Sequence, residues 1–510
     1  MNNKFIFPFF IGVLYFFVIL YSAWMYPIDG NESWMYAESL YSITNTPYKD
    51  YFSHRLPLFQ IIYGIWMNIF SETLLSMRIL SSIFSALSIA IVLYICRQLT
   101  GNKLILIIAA MVLWNVVVIS ALSKALIYPL VSFLYSLSIL SLYKNRDNYK
   151  KSMLVFFFLQ ILIWACQYPL SAHTILILIF LAIVIHSVNY ELPFSTKLIG
   201  LVLFPVFAIW LYMFINNDYR IIYDTFIYNM QQVPLMLKMN IISSDYDSLF
   251  ERIIDQRKRE VVQFLPLIFL FVAAIFYFLI NCFSYLKKWK ISWHAQIYLY
   301  SGIYFLGYYG VFFIIGYDFP VTKVYIFFPA MILITVLFSK IFEGLDKIKQ
   351  QFIVGLFLTT ILLWPYVQGL KQFYSYNPHK ELIAFNSVIS NYDDEGVWFS
   401  LHPNTLQGGV KVDLTLSMEL YGFLNDLDAA KAEYYHLPNF EVIKNKINSK
   451  YYSGILLSDR FVNIEKNMSR ILSPHYSELM KSILNNYYLK DTYDSLNTSM
   501  GKVDIFLVRE

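Results

Sequence analysis

The chain has 510 residues, of which 58% are hydrophobic, 19% are aromatic and only 14% are charged. This balance lies far from that of soluble globular proteins and predicts a polytopic α-helical membrane protein. The formal net charge of +5 is spread over many loops, which argues against nucleic-acid binding and bears instead on orientation in a membrane.

Apolar runs long enough to cross a hydrocarbon core, which takes about 20 helical residues, recur over residues 1–369. About eleven such spans are predicted. They lie near 5–25, 76–96, 104–122, 125–143, 153–168, 171–188, 198–215, 261–281, 295–315, 322–340 and 352–369. The first is interpreted as a retained helix, because residues 21–25 offer no good signal-peptide cleavage site.

The segment 26–75, between the first two spans, is too long to be a simple connector. Within it, residues 56–70 are apolar and aromatic but too short for a span, so we expect a helix at the membrane interface. Counting this helix as a span would invert every later loop and contradict the charge bias described next.

The basic residues of the short loops predict a cytoplasmic N-terminus. The loops that are then cytoplasmic carry Arg97, Lys103, Lys144, Arg146, Lys150, Lys151, Lys197, Lys287, Lys288, Lys290, Lys340, Lys347 and Lys349. One outer loop, 216–260, departs from this bias, because it contains Arg252, Arg257, Lys258 and Arg259. Long loops follow the positive-inside rule poorly. We therefore expect a plasma (inner) membrane protein with its C-terminus outside.

Beyond residue 370 the hydrophobic runs shorten to strand length. Strands are predicted at 397–400, 453–458 and 503–508, with helices near 438–450 and 469–487. The sequence thus predicts a transmembrane domain over 1–369 and a small extracytoplasmic α/β domain over 370–510. No Walker-type glycine loop is found, and the three cysteines lie in apolar runs and predict no disulfide framework.

Two carboxylates, Asp29 and Glu32, follow the first span directly. Acids beside a membrane are costly to place unless they handle a substrate, a proton or an ion. The alternative is a pair of solvated loop acids with no chemical role. The two acids could hold one divalent cation with help from elsewhere, but no grouping of ligands at metal spacing supports one, and no cofactor is expected.

Four short strings in fixed order carry a family resemblance: 32–38 (ESWMYAE), 46–52 (TPYKDYF), 55–58 (RLPL) and 78–87 (RILSSIFSAL). Together they resemble the N-terminal signature of the C-type glycosyltransferase superfamily (GT-C). The likeness is greatest to protein O-mannosyltransferases and lipid A aminoarabinose transferases, and it covers about residues 1–145. It implies a GT-C bundle that moves a sugar from a polyprenyl-phosphate donor to a glycan, lipid or protein acceptor.

The resemblance also implies roles for particular residues. The family's acid four positions before a tyrosine corresponds to Glu32 before Tyr36, with Asp29 as the rival base. The family's basic residue before a Pro-Leu pair corresponds to Arg55, next to His54, and faces the donor phosphate.

Two further loops complete the predicted site. Near the tenth span, Lys323 and Tyr325 resemble the family's donor contacts, and Lys124 lies in a short outer loop. Tyr128 stands where many relatives have a second acid before a proline, which excludes an acidic role there. Tyr36, Tyr128 and Tyr325 are expected to line the substrate pocket.

The chemistry of these residue types agrees with sugar transfer. A carboxylate can deprotonate the attacking hydroxyl, and an anionic phosphate leaving group needs cationic stabilisation, for which arginine is suited. Arg55 and Lys323 could instead only snorkel to the headgroup layer, as could Lys124. A polymerase or ligase of lipid-linked glycans and a lipid-sugar flippase or transporter remain alternative functions.

Overall fold

The structure is a computed structural model. The residues that it describes are 3–25, 30–166, 211, 213, 215–216, 219–228, 230, 267–282, 292–315, 324–367, 387–392, 396–400, 411–413, 428–437, 439–458, 477–494 and 502–509. The predicted spans 171–188 and 198–215 lie largely outside them, as do Asp29 and Lys323.

The chain divides into two compact units, each built from separate stretches of sequence. The first unit comprises Met1–Ala23, Arg78–Asn216 and Phe250–Ser375. The second comprises Trp24–Met77, Asn217–Leu249 and Tyr376–Glu510. The segment between the first two predicted spans therefore shares a unit with the C-terminal residues.

Helices make up the described part of the first unit. In chain order they are α1 (Asn3–Met25), α4 (Leu74–Thr100, from Arg78 onward), α5 (Lys103–Met111), α6 (Val116–Ser123), α7 (Ile127–Lys144), α8 (Tyr149–Ala165), α10 (Leu267–Cys282), α11 (Trp293–Ile315), α12 (Val324–Glu343) and α13 (Lys347–Val367). Among the described residues, four helices are long and apolar enough to cross a membrane: Lys4–Met25, Leu74–Thr100, Ile127–Lys144 and Val324–Glu343. The predicted total of about eleven spans stays a prediction.

Close contacts between helices explain the small and polar residues of this bundle. A Cβ at Gly12 of α1 would lie 2.8 Å from the Cβ of Ala90 in α4, so the glycine allows the two helices to approach. Tyr15 of α1 donates a hydrogen bond to the carbonyl oxygen of Ala110 at 2.7 Å.

The predicted span 104–122 is not one continuous helix. A turn separates α5 from α6, and the Asn115 carbonyl accepts from Ile119 at the start of α6. Asparagine favours helix starts over helix interiors, because its side chain competes for backbone hydrogen bonds.

The second unit contains the hairpin of α2 (Gly30–Tyr41) and α3 (Leu58–Phe70), the short helix α9 (Arg220–Ile222) with a π-helical turn Tyr223–Ile227, and a C-terminal sheet with helices. Helix α3 fulfils the expectation of a short apolar helix near 56–70. The C-terminal part of the second unit contains helices α14 (Ala429–Tyr434) and α15 (Phe440–Asn448) and a helix over 477–486.

The sheet has five strands: β1 (Val397–Ser400), β2 (Lys411–Val412), β3 (Gly454–Ser458), β4 (Tyr487–Asp494) and β5 (Lys502–Val508). Their order is β2-β1-β3-β5-β4. β1 pairs in parallel with β2 and β3, while β5 pairs antiparallel with β3 and β4. The three strands predicted from the sequence are present, and β2 and β4 were not predicted.

Candidate functional site

Helix α2 carries the favoured base. Glu32 lies in its first turn, where the helix dipole favours a negative charge. Its side chain is fully buried, at 0% exposure. Burial of a carboxylate is costly unless it is compensated, so Glu32 is unlike an ordinary solvated loop acid.

The link between α2 and α3 is folded tightly back on itself. Tyr48 has φ of 69°, in the left-handed region, and its N–H donates to the Tyr51 carbonyl at 2.8 Å. The Tyr48 hydroxyl donates to the Arg55 carbonyl at 2.6 Å. These bonds bring Arg55 back beside helix α2. Pro57 then caps the start of α3, a position that tolerates proline because no helical N–H is needed there.

Arg55 forms an ion pair with Glu38, in the last turns of α2. The Arg55 Nη1 atom lies 3.2 Å from Glu38 Oε2, and both side chains are buried, at 5% and 1% exposure. Burial raises the pKa of Glu38, while the charge and hydrogen bond of Arg55 oppose that rise. Arg55, which is predicted to bind the donor phosphate, is thus held by the carboxylate of Glu38, for which the sequence suggested no role.

His54 is also buried, between Phe52 and Tyr228, whose ring centroids lie 6.2 and 6.4 Å from the imidazole. Burial lowers the pKa of His54 well below its usual range, and the neighbouring Arg55 charge lowers it further. A neutral His54 can donate one hydrogen bond to a phosphate but brings no positive charge.

A third buried acid, Asp224, reaches the same hairpin from the π-helical turn. Its Oδ2 accepts from the backbone N–H of Ser53 at 3.4 Å, and its side chain is fully buried. An apolar cluster fixes the turn against the hairpin; its members are Trp34, Phe52, Tyr223, Tyr228 and Leu437. Asp224 therefore supports the loop backbone two residues before Arg55.

Tyr36, predicted to line the pocket, is buried at 1% exposure, and its hydroxyl donates to the Glu72 carbonyl at 2.8 Å. Burial raises its pKa, so the hydroxyl stays protonated. As a pocket residue, Tyr36 would present its ring rather than its hydroxyl.

The remaining predicted residues that the structure describes belong to the first unit. Lys124, between α6 and α7, is 8% exposed. The rings of Tyr128 and Tyr325 lie 4.9 Å apart in a T-shaped contact, so the structure brings these two predicted pocket residues together. Tyr325 also contacts Tyr308 at 4.7 Å, and the aromatic contacts continue through Tyr304 to Tyr135.

Sequence reasoning missed Glu38 and Asp224. Glu38 stands in the string that carries the family resemblance, six residues after Glu32, so a carboxylate on that helix could have been considered as a partner for Arg55. Asp224 is 171 residues from its partner Ser53, and no local pattern signals it. Among the described residues, no group of three or more His, Cys, Asp or Glu could hold a metal ion.

No protein-family model and no curated protein matches this chain. Among solved structures, the crystal structure of ArnT from Cupriavidus metallidurans bound to undecaprenyl phosphate matches over 99% of this chain and 98% of its own, with a TM-score of 0.56 at 10% identity. This match shows that the chain shares the fold of that ArnT.

Proposed function

We propose that this ArnT-like chain is a membrane glycosyltransferase that moves a sugar from a polyprenyl-phosphate donor to an acceptor hydroxyl on the extracytoplasmic side. The observation that carries the proposal is the α2–α3 hairpin, which buries Glu32, Glu38, His54 and Arg55 together in one short stretch of sequence. The full-length fold likeness supports it, since that neighbour is bound to undecaprenyl phosphate.

The base in this proposal is Glu32, with Asp29 as the rival. A carboxylate removes the proton of the acceptor hydroxyl as the oxygen attacks the anomeric carbon. The bond to the phosphate oxygen breaks in the same displacement, and the phosphate leaves with the electron pair. Glu32 is favoured because it is fully buried, which sets it apart from a solvated loop acid.

Arg55 stabilises the leaving phosphate in this proposal. Its guanidinium offers five N–H donors in a planar fork that matches phosphate oxygens. Neutral His54 adds a hydrogen bond, and Lys124 and Lys323 are proposed to supply further positive charge. Charge develops on the phosphate as the sugar leaves, so donors already in position lower the barrier most.

Three tyrosines stay proposed substrate contacts. Tyr36 in the second unit, and Tyr128 and Tyr325 in the first, which are in mutual ring contact, each offer an aromatic face on which a sugar ring can stack. The acceptor is a glycan, a lipid or a protein of the cell envelope. We also propose a cytoplasmic N-terminus, a transmembrane domain over 1–369 and an extracytoplasmic domain over 370–510.

The test uses the full-length chain in lipid nanodiscs. Undecaprenyl-phosphate-linked monosaccharides are supplied one at a time with a cell-envelope extract, and released undecaprenyl phosphate is measured by mass spectrometry. Transfer is expected with one donor, and we expect Glu32→Gln to reduce it at least about 100-fold, as for loss of a general base. Asp29→Asn is assayed beside it, and Asp50→Asn, in the same loop, is the matched control.

Two results would contradict this proposal. One is full activity in both Glu32→Gln and Asp29→Asn, which would remove the base. The other is movement of intact lipid-linked sugar across the membrane without cleavage of the sugar-phosphate bond, which would indicate a flippase.

A further inference from the structure

The buried pair of Glu38 and Arg55 has a consequence for anion binding. Arg55 is 4% exposed, and its Nη1 already contacts a carboxylate oxygen. The ion pair of Lys340 with Glu343, by contrast, lies on the surface, where such a pair costs little to keep. A buried pair is costly to desolvate, so adding a further charge to it must be compensated.

The groups around Glu38 fix its position but do not supply a second cation from the hairpin. Tyr51 donates its hydroxyl to the Glu38 carbonyl at 3.2 Å and to Gln60 Oε1 at 2.8 Å. Gln60 Nε2 donates to Ser53 Oγ at 3.2 Å. These partners from the loop and from α3 are neutral side chains.

The titratable groups of α2, of the loop and of the π-helical turn are few within the described residues. Besides Glu38, the buried ones are Glu32, Tyr36, Tyr48, Tyr51, His54, Arg55, Tyr223 and Asp224. Tyr41 and Asp50 are half-buried, and Lys49 is exposed. Burial keeps His54 neutral and raises the pKa of Tyr41. Among these described groups, Arg55 is thus the buried cation, and the buried carboxyl groups are those of Glu32, Glu38 and Asp224.

A phosphate at Arg55 would therefore place a second anion on one guanidinium, beside Glu38. At low dielectric, two anions a few ångströms apart repel strongly. Burial already favours the neutral form of the Glu38 carboxyl group. Uptake of one proton from solvent converts its carboxylate to the acid and removes the repulsion, with no other bond changed.

We propose that Glu38 is an internal counter-anion of Arg55, which a lipid phosphate replaces, so that binding of the phosphate is coupled to uptake of one proton by Glu38. This inference rests on the proposed function, since it takes Arg55 as the phosphate site. Glu38 then sets the affinity and the pH dependence of donor and product binding.

Two signatures follow for the binding of undecaprenyl phosphate. Where Glu38 is ionised in the free protein and protonated in the complex, affinity falls up to tenfold for each unit rise in pH. Glu38→Gln keeps the shape without the charge, so it removes this dependence and binds more tightly than the unmodified chain at alkaline pH. A merely structural partner of Arg55 predicts weaker binding in the variant at every pH.

The experiment is calorimetric titration of the full-length chain in nanodiscs with undecaprenyl phosphate. Work between about pH 7.5 and 9 keeps the phosphate fully ionised, since its second pKa is about 6. Two buffers of different ionisation enthalpy give the number of protons taken up. The unmodified chain and the control Asp50→Asn are expected to take up about one proton more than Glu38→Gln.

The controls separate the possible failures. Asp224→Asn and Glu32→Gln should retain the uptake, and loss of it in either while Glu38→Gln retains it would overturn the assignment to Glu38. Equal uptake by the unmodified chain and Glu38→Gln, or uptake with the uncharged undecaprenol, would also overturn it. If Glu38→Gln does not fold, absence of proton uptake in the unmodified chain alone overturns the inference. Failure to bind undecaprenyl phosphate at all would instead contradict the proposed function.

Discussion

Gly64 lies where α3 packs closely against the end of α2, and Gly64→Ala tests whether that packing holds the hairpin together. A Cβ at this position would lie 2.3 Å from Ser42 Oγ and 2.8 Å from the Ser39 carbonyl oxygen. Ser42 can rotate away only by giving up its hydrogen bonds to the carbonyls of Ser39 and Gln60, at 2.7 and 2.9 Å. The Ser39 carbonyl belongs to the backbone and moves only if the helices separate.

The cost follows from these contacts. Overpacking of this kind costs about 1–3 kcal/mol, and the disturbed hydrogen bond adds about 1 kcal/mol. The higher helix propensity of alanine offsets about 1 kcal/mol of this loss in the free energy of unfolding. The net loss of about 1–3 kcal/mol lowers the melting temperature by roughly 2–12 °C for a unit of this size.

The assay heats the full-length protein in detergent and measures the monodisperse fraction by size-exclusion chromatography. Gly355→Ala is the matched control, because nothing lies within 4 Å of its added Cβ, and it should melt at or slightly above the unmodified chain. Adding Ser42→Ala to Gly64→Ala removes the 2.3 Å contact and should recover part of the loss. A Gly64→Ala protein that melts like Gly355→Ala would refute the packing argument.

Two predictions concern the C-terminal sheet, and the same heating assay measures both. Tyr452→Phe removes the hydroxyl that donates to Asp413 Oδ2 at 2.8 Å and should cost about 1.5–3 kcal/mol, whereas the control Tyr451→Phe, at an exposed ring, should cost almost nothing. Burial raises the pKa of Tyr487 to about 12 from its usual 10, so the folded state holds this proton more tightly than the unfolded state. The melting temperature should be unaffected below about pH 10 and fall as the pH rises towards 12. Tyr487→Phe should show a smaller fall, and identical curves of melting temperature against pH for the two proteins would contradict this.

The helical elements could be predicted from sequence where hydrophobicity alone decides them. The run 76–96 became α4, and 125–143 became α7, because lipid-length apolar segments have few alternatives to a helix. The run 104–122 was predicted as continuous, and the turn before Asn115 was missed because a single polar residue hardly changes the hydropathy of such a run.

The missed strands have a different cause. Hydrophobic and polar residues do not alternate regularly over residues 487–494, which contain Lys490, Asp491 and Asp494. Among the described strands, β4 pairs only with β5, and much of its surface is exposed. An edge strand can carry charges that a central strand cannot, so its sequence resembles a loop. β2 has only two residues and is too short to show any period.

Candidate residues of the site could be proposed from the sequence, but their pairing could not. The family pattern proposed Arg55 and Glu32; both are buried, and their roles stay predictions. The pairing of Arg55 with Glu38 depends on the turn at Tyr48, whose positive φ is unusual for tyrosine and has no sequence signal.

The second unit joins residues that the ribosome makes far apart in time. The imidazole Nε2 of His436 donates to the Lys49 carbonyl at 2.9 Å, across 387 residues of sequence. Translation adds about 5–20 residues per second, so His436 is synthesised roughly 20–80 s after Lys49 of the α2–α3 hairpin. During biogenesis the hairpin is therefore an unfinished surface, available to chaperones or proteases, and a nascent chain that stops early never completes it.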